Sequence, residues 1–142
     1  MAKKVADSDM SVLLQGETGT GKELFAQAIH QGSTRKNGPF VALNCSAFPK
    51  DMLESELFGF KKGAFTGATE SKKGLIEEAD GGTLFLDEVG EMDIGLQAKL
   101  LRFLENKKFT KLGETKERQV DIRVLAASNK DLKKESEKDE FR

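Results

Sequence analysis

The sequence is poor in cysteine: Cys45 stands alone among 142 residues. An intramolecular disulfide is excluded, and a reducing compartment, the cytoplasm, is expected. Excess charge of either sign is also missing, since 23 basic residues stand against 24 acidic ones for a net charge of −1. The bulk electrostatics that draw a protein to nucleic acid or to an anionic membrane are thus lacking, and DNA contact would need a separate domain. No apolar run approaches the roughly 20 residues of a membrane span, and Met1-Ala2-Lys3-Lys4 leads into polar sequence rather than a signal-peptide core. Internal repeats and low-complexity tracts are absent. The length fits one domain with its own core. Residues 1–10 read as a polar lead-in and residues 11–142 as the domain.

What is present is organised around Gly16-Glu17-Thr18-Gly19-Thr20-Gly21-Lys22-Glu23, preceded by Val12-Leu13-Leu14 and followed by Leu24, Phe25, Ala26, Ala28 and Ile29. Strand, glycine-rich turn and helix in that order form the context of a phosphate-binding loop. Glycines let backbone N–H groups close around phosphate oxygens, the helix presents its positive end, and the lysine reaches the outer phosphates. The competing reading, a chance glycine turn, leaves the strand and helix on either side without a purpose. Glu23 departs from the general pattern, because a Ser or Thr normally stands there to hold Mg²⁺. Metal binding must then lean on other residues.

The remaining chain alternates strand and helix. Strands are expected at Ser11–Gln15, Phe40–Cys45, Thr83–Asp87 and Ile122–Ala127, the last ending in Ser128-Asn129. The first helix is expected from Lys22 to about Gln31, with His30 as a partner for its negative end. Pro49 suits the first position of a second helix that Gly59 ends, and Gly74–Asp80 reads as a short third. Asp93 is placed to cap a helix whose Leu96, Leu100, Phe103 and Leu104 share one face. A small hairpin is expected from Phe109–Leu112 and Arg118–Asp121, and the charged run after Lys130 reads as a solvated end. Such alternation predicts a parallel sheet covered on both faces, with its ligand at the carboxyl ends of the first and third strands.

Asp87-Glu88 puts two carboxylates at that rim. Phosphoryl transfer depends on positioning and charge stabilisation, so Asp87 is assigned to the metal and Glu88 to the attacking water. Without a phosphate loop nearby, the same pair would read as capping the turn at Gly90. Asn44 and Asn129 end the second and fourth strands; each could satisfy a turn, and both could instead act on Glu88 or its water. Cys45, among apolar neighbours, reads as an inert thiol. Gly63-Ala64-Phe65-Thr66-Gly67-Ala68 sets one aromatic among small residues, where neither helical nor strand spacing buries it. Either Phe65 tucks beneath a tight turn or it is presented as a compact anchor.

With these residues in view, the chain resembles the AAA+ ATPase domain of sigma-54-dependent transcriptional activators, the bacterial enhancer-binding proteins. The matching segments are GETGTGKE at 16–23, ELFG at 56–59, GAFTGA at 63–68, GGTLFLDEV at 81–89 and AASN at 126–129. This family also carries Glu after the loop lysine, so Glu23 supports the likeness. The resemblance implies an α/β, three-layer P-loop NTPase fold with a mainly parallel sheet flanked by helices, here lacking the C-terminal helical lid. It implies ATP and Mg²⁺ as cofactors, transcription regulation within two-component systems, and self-association into a ring. It implies that residues 63–68 engage sigma-54 RNA polymerase, that Asn44 and Glu88 form a switch pair, and that Ser128-Asn129 sits at a nucleotide sensor. Arg142 matches the first of the arginines that reach a neighbouring subunit's site. A trans-acting arginine is worth roughly 10³ to 10⁵ in rate, so this chain alone is expected to turn over poorly. The alternative is a nucleotide-responsive binding module without productive hydrolysis. Another AAA+ enzyme, such as a helicase loader, would leave GAFTGA unexplained.

Overall fold

The computed structural model describes residues 12–15 and 19–128, with side chains over 21–128. Its central sheet has four parallel strands: β1 (Val12–Gln15), β8 (Arg123–Ser128), β5 (Thr83–Asp87) and β2 (Phe40–Asn44), in that order across the sheet. Parallel neighbours need crossovers, and helices provide them. Helix α1 (Gly19–Gln31) follows β1, α2 (Lys50–Phe58) and α3 (Leu75–Glu78) separate β2 from β5, and α4 (Ile94–Asn106) leads toward β8.

Strand alternation distributes side chains to two cores. On β5, Leu84 and Leu86 join Leu53, Leu57, Phe58, Ile76, Leu96, Leu100 and Phe103 on the face covered by α2, α3 and α4. Phe85, Leu125 and Ala127 meet Ala26 and Ile29 of α1 on the other face. Helix, sheet and helix therefore make three layers. Every residue of β5 is buried, as the continuous apolar run requires.

Several local expectations shift. The first helix begins at Gly19, inside the phosphate-loop motif, rather than at Lys22. Pro49 is the N-cap of α2, not its first helical residue: its ψ of 145° is extended, and the helix starts at Lys50. Gly59 ends α2 with φ +79°, as glycine permits. Cys45 leaves the strand for a 3-10 turn, Cys45–Ala47, because the side chain of Asn44 caps that turn. The third helix is one turn, Leu75–Glu78, with Gly74 outside it. His30 does lie in the last turn of α1, but its ring nitrogens bond Thr83 and Gly38 rather than the carbonyls of the helix end. It is buried, with Nδ1 2.8 Å from Thr83 Oγ1 and Nε2 3.2 Å from the Gly38 carbonyl, so it pins α1 to the sheet.

Two short ribbons complete the described fold. Strands β3 (Gly59–Phe60) and β4 (Lys72–Lys73) pair antiparallel, as do β6 (Lys108–Phe109) and β7 (Arg118–Gln119). The expected small hairpin is thus present, though its paired residues are fewer. The Asp93 side chain accepts from the Leu96 amide at 2.7 Å, capping α4 as its sequence position predicts.

Candidate functional site

The carboxyl rim of the sheet is fixed by register. Gln15 stands beside Ser128, Leu86 beside Ala126, and Asn44 beside Asp87. The first and third strands of the sequence reading are not neighbours, because β8 lies between them. The long crossover through α4 returns the chain to the gap. The rim therefore draws on four strands rather than two.

Three predicted site residues meet there with described side chains: Asp87, Glu88 and Asn44. Asp87 is buried, and its Oδ1 accepts from the Glu88 amide at 2.9 Å. Glu88 takes the left-handed backbone conformation, φ +59° and ψ +46°, which costs a residue with a Cβ about 1–2 kcal/mol. This turn lifts the chain out of the sheet into a 3-10 turn, Val89–Glu91, that leads to α4. The Asn44 carboxamide oxygen accepts from the Ser46 amide at 2.9 Å and from its hydroxyl at 2.7 Å. In this state Asn44 satisfies a turn; among the described residues no hydrogen bond joins it to Glu88. Cys45 behaves as expected: burial, with the Asp87 and Glu88 charges adding to it, pushes its thiol up to about 12. It stays protonated at neutral pH and cannot act as a nucleophile.

Lys22 projects from the first turns of α1. Its ammonium is buried, and among the described residues Nζ has no hydrogen-bond partner. Gly21 and Glu23 are exposed beside it. Gly19 and Thr20 lie in α1, while Gly16, Glu17 and Thr18 fall outside the described residues, as do Asn129 and Arg142. Ser128, the last described residue of β8, is fully buried at the rim.

The Gly63–Ala68 segment is a tight loop carried by the β3–β4 ribbon. Gly63 donates its amide to the Ala68 carbonyl at 2.9 Å, and the Ala68 amide returns to the Phe65 carbonyl at 3.0 Å. Gly63 and Gly67 have φ of +85° and +94°, so glycine is required there for backbone sign rather than for room. Phe65 is 46% exposed, its ring 4.9 Å edge-on from Phe60, and Thr66 is exposed. The loop thus presents its aromatic rather than sinking it in the core. Ala68 is the buried foot, and Leu112 exchanges backbone hydrogen bonds with Gly59 and Lys61 to brace the ribbon.

The sequence reading passed over Gln97, a buried carboxamide on the apolar face of α4 whose Nε2 donates to Val89 O and Met92 O. Its only signal was a polar residue beside Leu96 on a stripe otherwise reserved for the core. Among the described residues no helix is long and apolar enough to cross a membrane, and no group of three His, Cys, Asp or Glu side chains forms a metal cluster.

Comparison with known proteins follows the same lines. The sigma-54 interaction domain family matches residues 1–142. The chain is 52% identical over 141 residues to the transcriptional regulatory protein GlrR of Escherichia coli K12, covering 99% of this chain and 32% of that protein. It is 56% identical over 138 residues to the anaerobic nitric oxide reductase transcription regulator NorR of Klebsiella pneumoniae, covering 97% and 27%. The crystal structure of NtrX from Brucella abortus in complex with ATP superposes with a TM-score of 0.86 at 38% identity, over 99% of this chain and 31% of that one. A P-loop NTPase domain of a sigma-54 activator from E. coli shares the fold at 20% identity and a TM-score of 0.62. The chain spans about a third of the length of the curated relatives it matches.

Proposed function

The chain belongs to the sigma-54 interaction domain family of bacterial transcriptional regulators, and from that premise we propose that it binds ATP with Mg²⁺ and hydrolyses it within a ring of subunits. Hydrolysis moves the Gly63–Ala68 loop against sigma-54-bound RNA polymerase. DNA contact belongs to a separate domain.

One observation carries the nucleotide reading: the Lys22 ammonium is buried without a hydrogen-bond partner among the described residues. A buried cation is stable only when paired, and phosphate oxygens held by the preceding loop supply the missing charge. Gly16, Glu17, Thr18, Gly19, Thr20, Gly21 and Glu23 frame that loop. Buried Asp87 supplies the hard carboxylate oxygen that suits Mg²⁺, which when bound neutralises charge on the phosphates. Glu88, half-exposed beside it, is free to orient water. Ser128, at the end of β8, and Asn129, which follows it in sequence, are assigned to nucleotide sensing, and Arg142 to a neighbour's site.

Lys22→Ala is expected to abolish ATP binding measured by titration calorimetry. Glu88→Ala keeps binding and loses turnover in the assembled protein. Phe65→Ala keeps ATPase activity but ends capture of sigma-54 by the transition-state-analogue complex; unchanged capture would remove residues 63–68 from the interface. A second reading, a nucleotide-responsive module without productive hydrolysis, is favoured by the commitment of Asn44 to Ser46 rather than to Glu88. Wild-type turnover no faster than that of Glu88→Ala in the assembled protein would select it.

A further inference from the structure

The turn that follows Glu88 closes on itself: Glu91 N donates to Glu88 O at 3.0 Å and Met92 N to Val89 O at 3.1 Å. Gln97, from the first half of α4, reaches back across it, its Nε2 lying 3.3 Å from Val89 O and 3.1 Å from Met92 O. Val89 O already accepts from the backbone, so the amide is not there to satisfy it. Stability does not account for this glutamine either. Its Oε1 is buried with no donor among the described residues, and an unmatched buried acceptor is unfavourable where Met or Leu would fill the same apolar stripe. What the two hydrogen bonds achieve is geometric: they straddle the turn and set its pitch. Glu88 begins that turn in a left-handed conformation that it does not favour intrinsically, and a conformation of this kind persists only where its surroundings hold it.

We infer that Gln97 is a positioning residue for Glu88: by clamping the Val89–Glu91 turn to α4 it aims the Glu88 carboxylate at the reacting water. This rests on the reading that Glu88 orients that water. The same clamp ties the rim to α4, whose Asp93 cap stands between turn and helix.

A double-mutant cycle in the assembled protein tests it. Gln97→Met keeps the length and bulk of the side chain and removes the amide; Gln97→Leu, the other apolar filler of that stripe, guards against a folding failure peculiar to methionine. Turnover is expressed per bound nucleotide, so that unfolded molecules do not count. Either variant is expected to bind ATP within about twofold of wild type while kcat falls about 10- to 100-fold, the scale of a misplaced catalytic group. In the Glu88→Gln background the Gln97 substitution should cost nothing more, because the group it aims is gone. A kcat loss of equal size in both backgrounds, an unchanged kcat, or a loss confined to ATP affinity overturns the inference. Wild-type turnover in Glu88→Gln alone overturns the reading beneath it as well, whereas a dead Glu88→Gln with a fully active Gln97→Met removes only the clamp.

Discussion

At the scale of single residues, burial decides protonation. The Gly38 carbonyl can only accept, so His30 Nε2 carries the proton and Nδ1 accepts from the Thr83 hydroxyl. Burial holds the His30 pKa below its ordinary value, and the hydrogen bond to Gly38 offsets this only in part. The folded state therefore binds the proton less tightly than the unfolded chain. Its contribution to stability is present above the unfolded pKa of about 6.5 and is lost as pH falls through the lower folded value. Urea unfolding at pH 7.5 and 5.5 should show a larger acid loss for wild type than for His30→Gln; equal losses would mean that the histidine does not sense pH. The sequence showed His30 near a helix end, where it was expected to partner the negative terminus. It could not show that Gly38, in the following connector, and Thr83, 53 residues away, converge on both ring nitrogens.

Elements are where backbone contact governs. The ribbon carrying residues 63–68 begins and ends at glycines that touch: a Cβ on Gly74 would meet the Gly59 amide and the Leu57 carbonyl. Neither backbone can yield without moving α2 or the ribbon. Gly74→Ala is expected to destabilise the domain by about 1–3 kcal/mol, the range for overpacking, and to speed amide exchange in β3. Unchanged melting together with unchanged exchange at Phe60 would show that the neck is looser than its contacts. Strand and helix positions were legible because their periodicities are local. The capping of α4 by Asp93 was legible too, since an N-cap depends on residues three apart. The neck was not, because Gly59 and Gly74 read separately as the stop of one helix and the start of another.

For the whole molecule, the proposal of a ring with Arg142 completing a neighbouring site predicts that activity depends on assembly. Specific ATPase activity should rise with protein concentration and level off once rings form; activity strictly proportional to protein at all concentrations would place the whole site within one subunit. The sequence by itself determined the layers of the fold, the carboxylates Asp87 and Glu88 at the end of β5, and the setting of Phe65 outside any helical or strand pattern. Each of these is written in runs of a few residues, where spacing, glycine and charge act directly on the backbone. Tertiary structure alone decided that β8 separates β1 from β5, that Asn44 caps a turn, that Lys22 lacks an acceptor among the described residues, and that Gln97 reaches back to the turn after Glu88. The strand order joins segments far apart in the chain and the state of Lys22 follows from burial, while the bonds of Asn44 and Gln97 are local choices among alternatives that are made only once the core has closed around them.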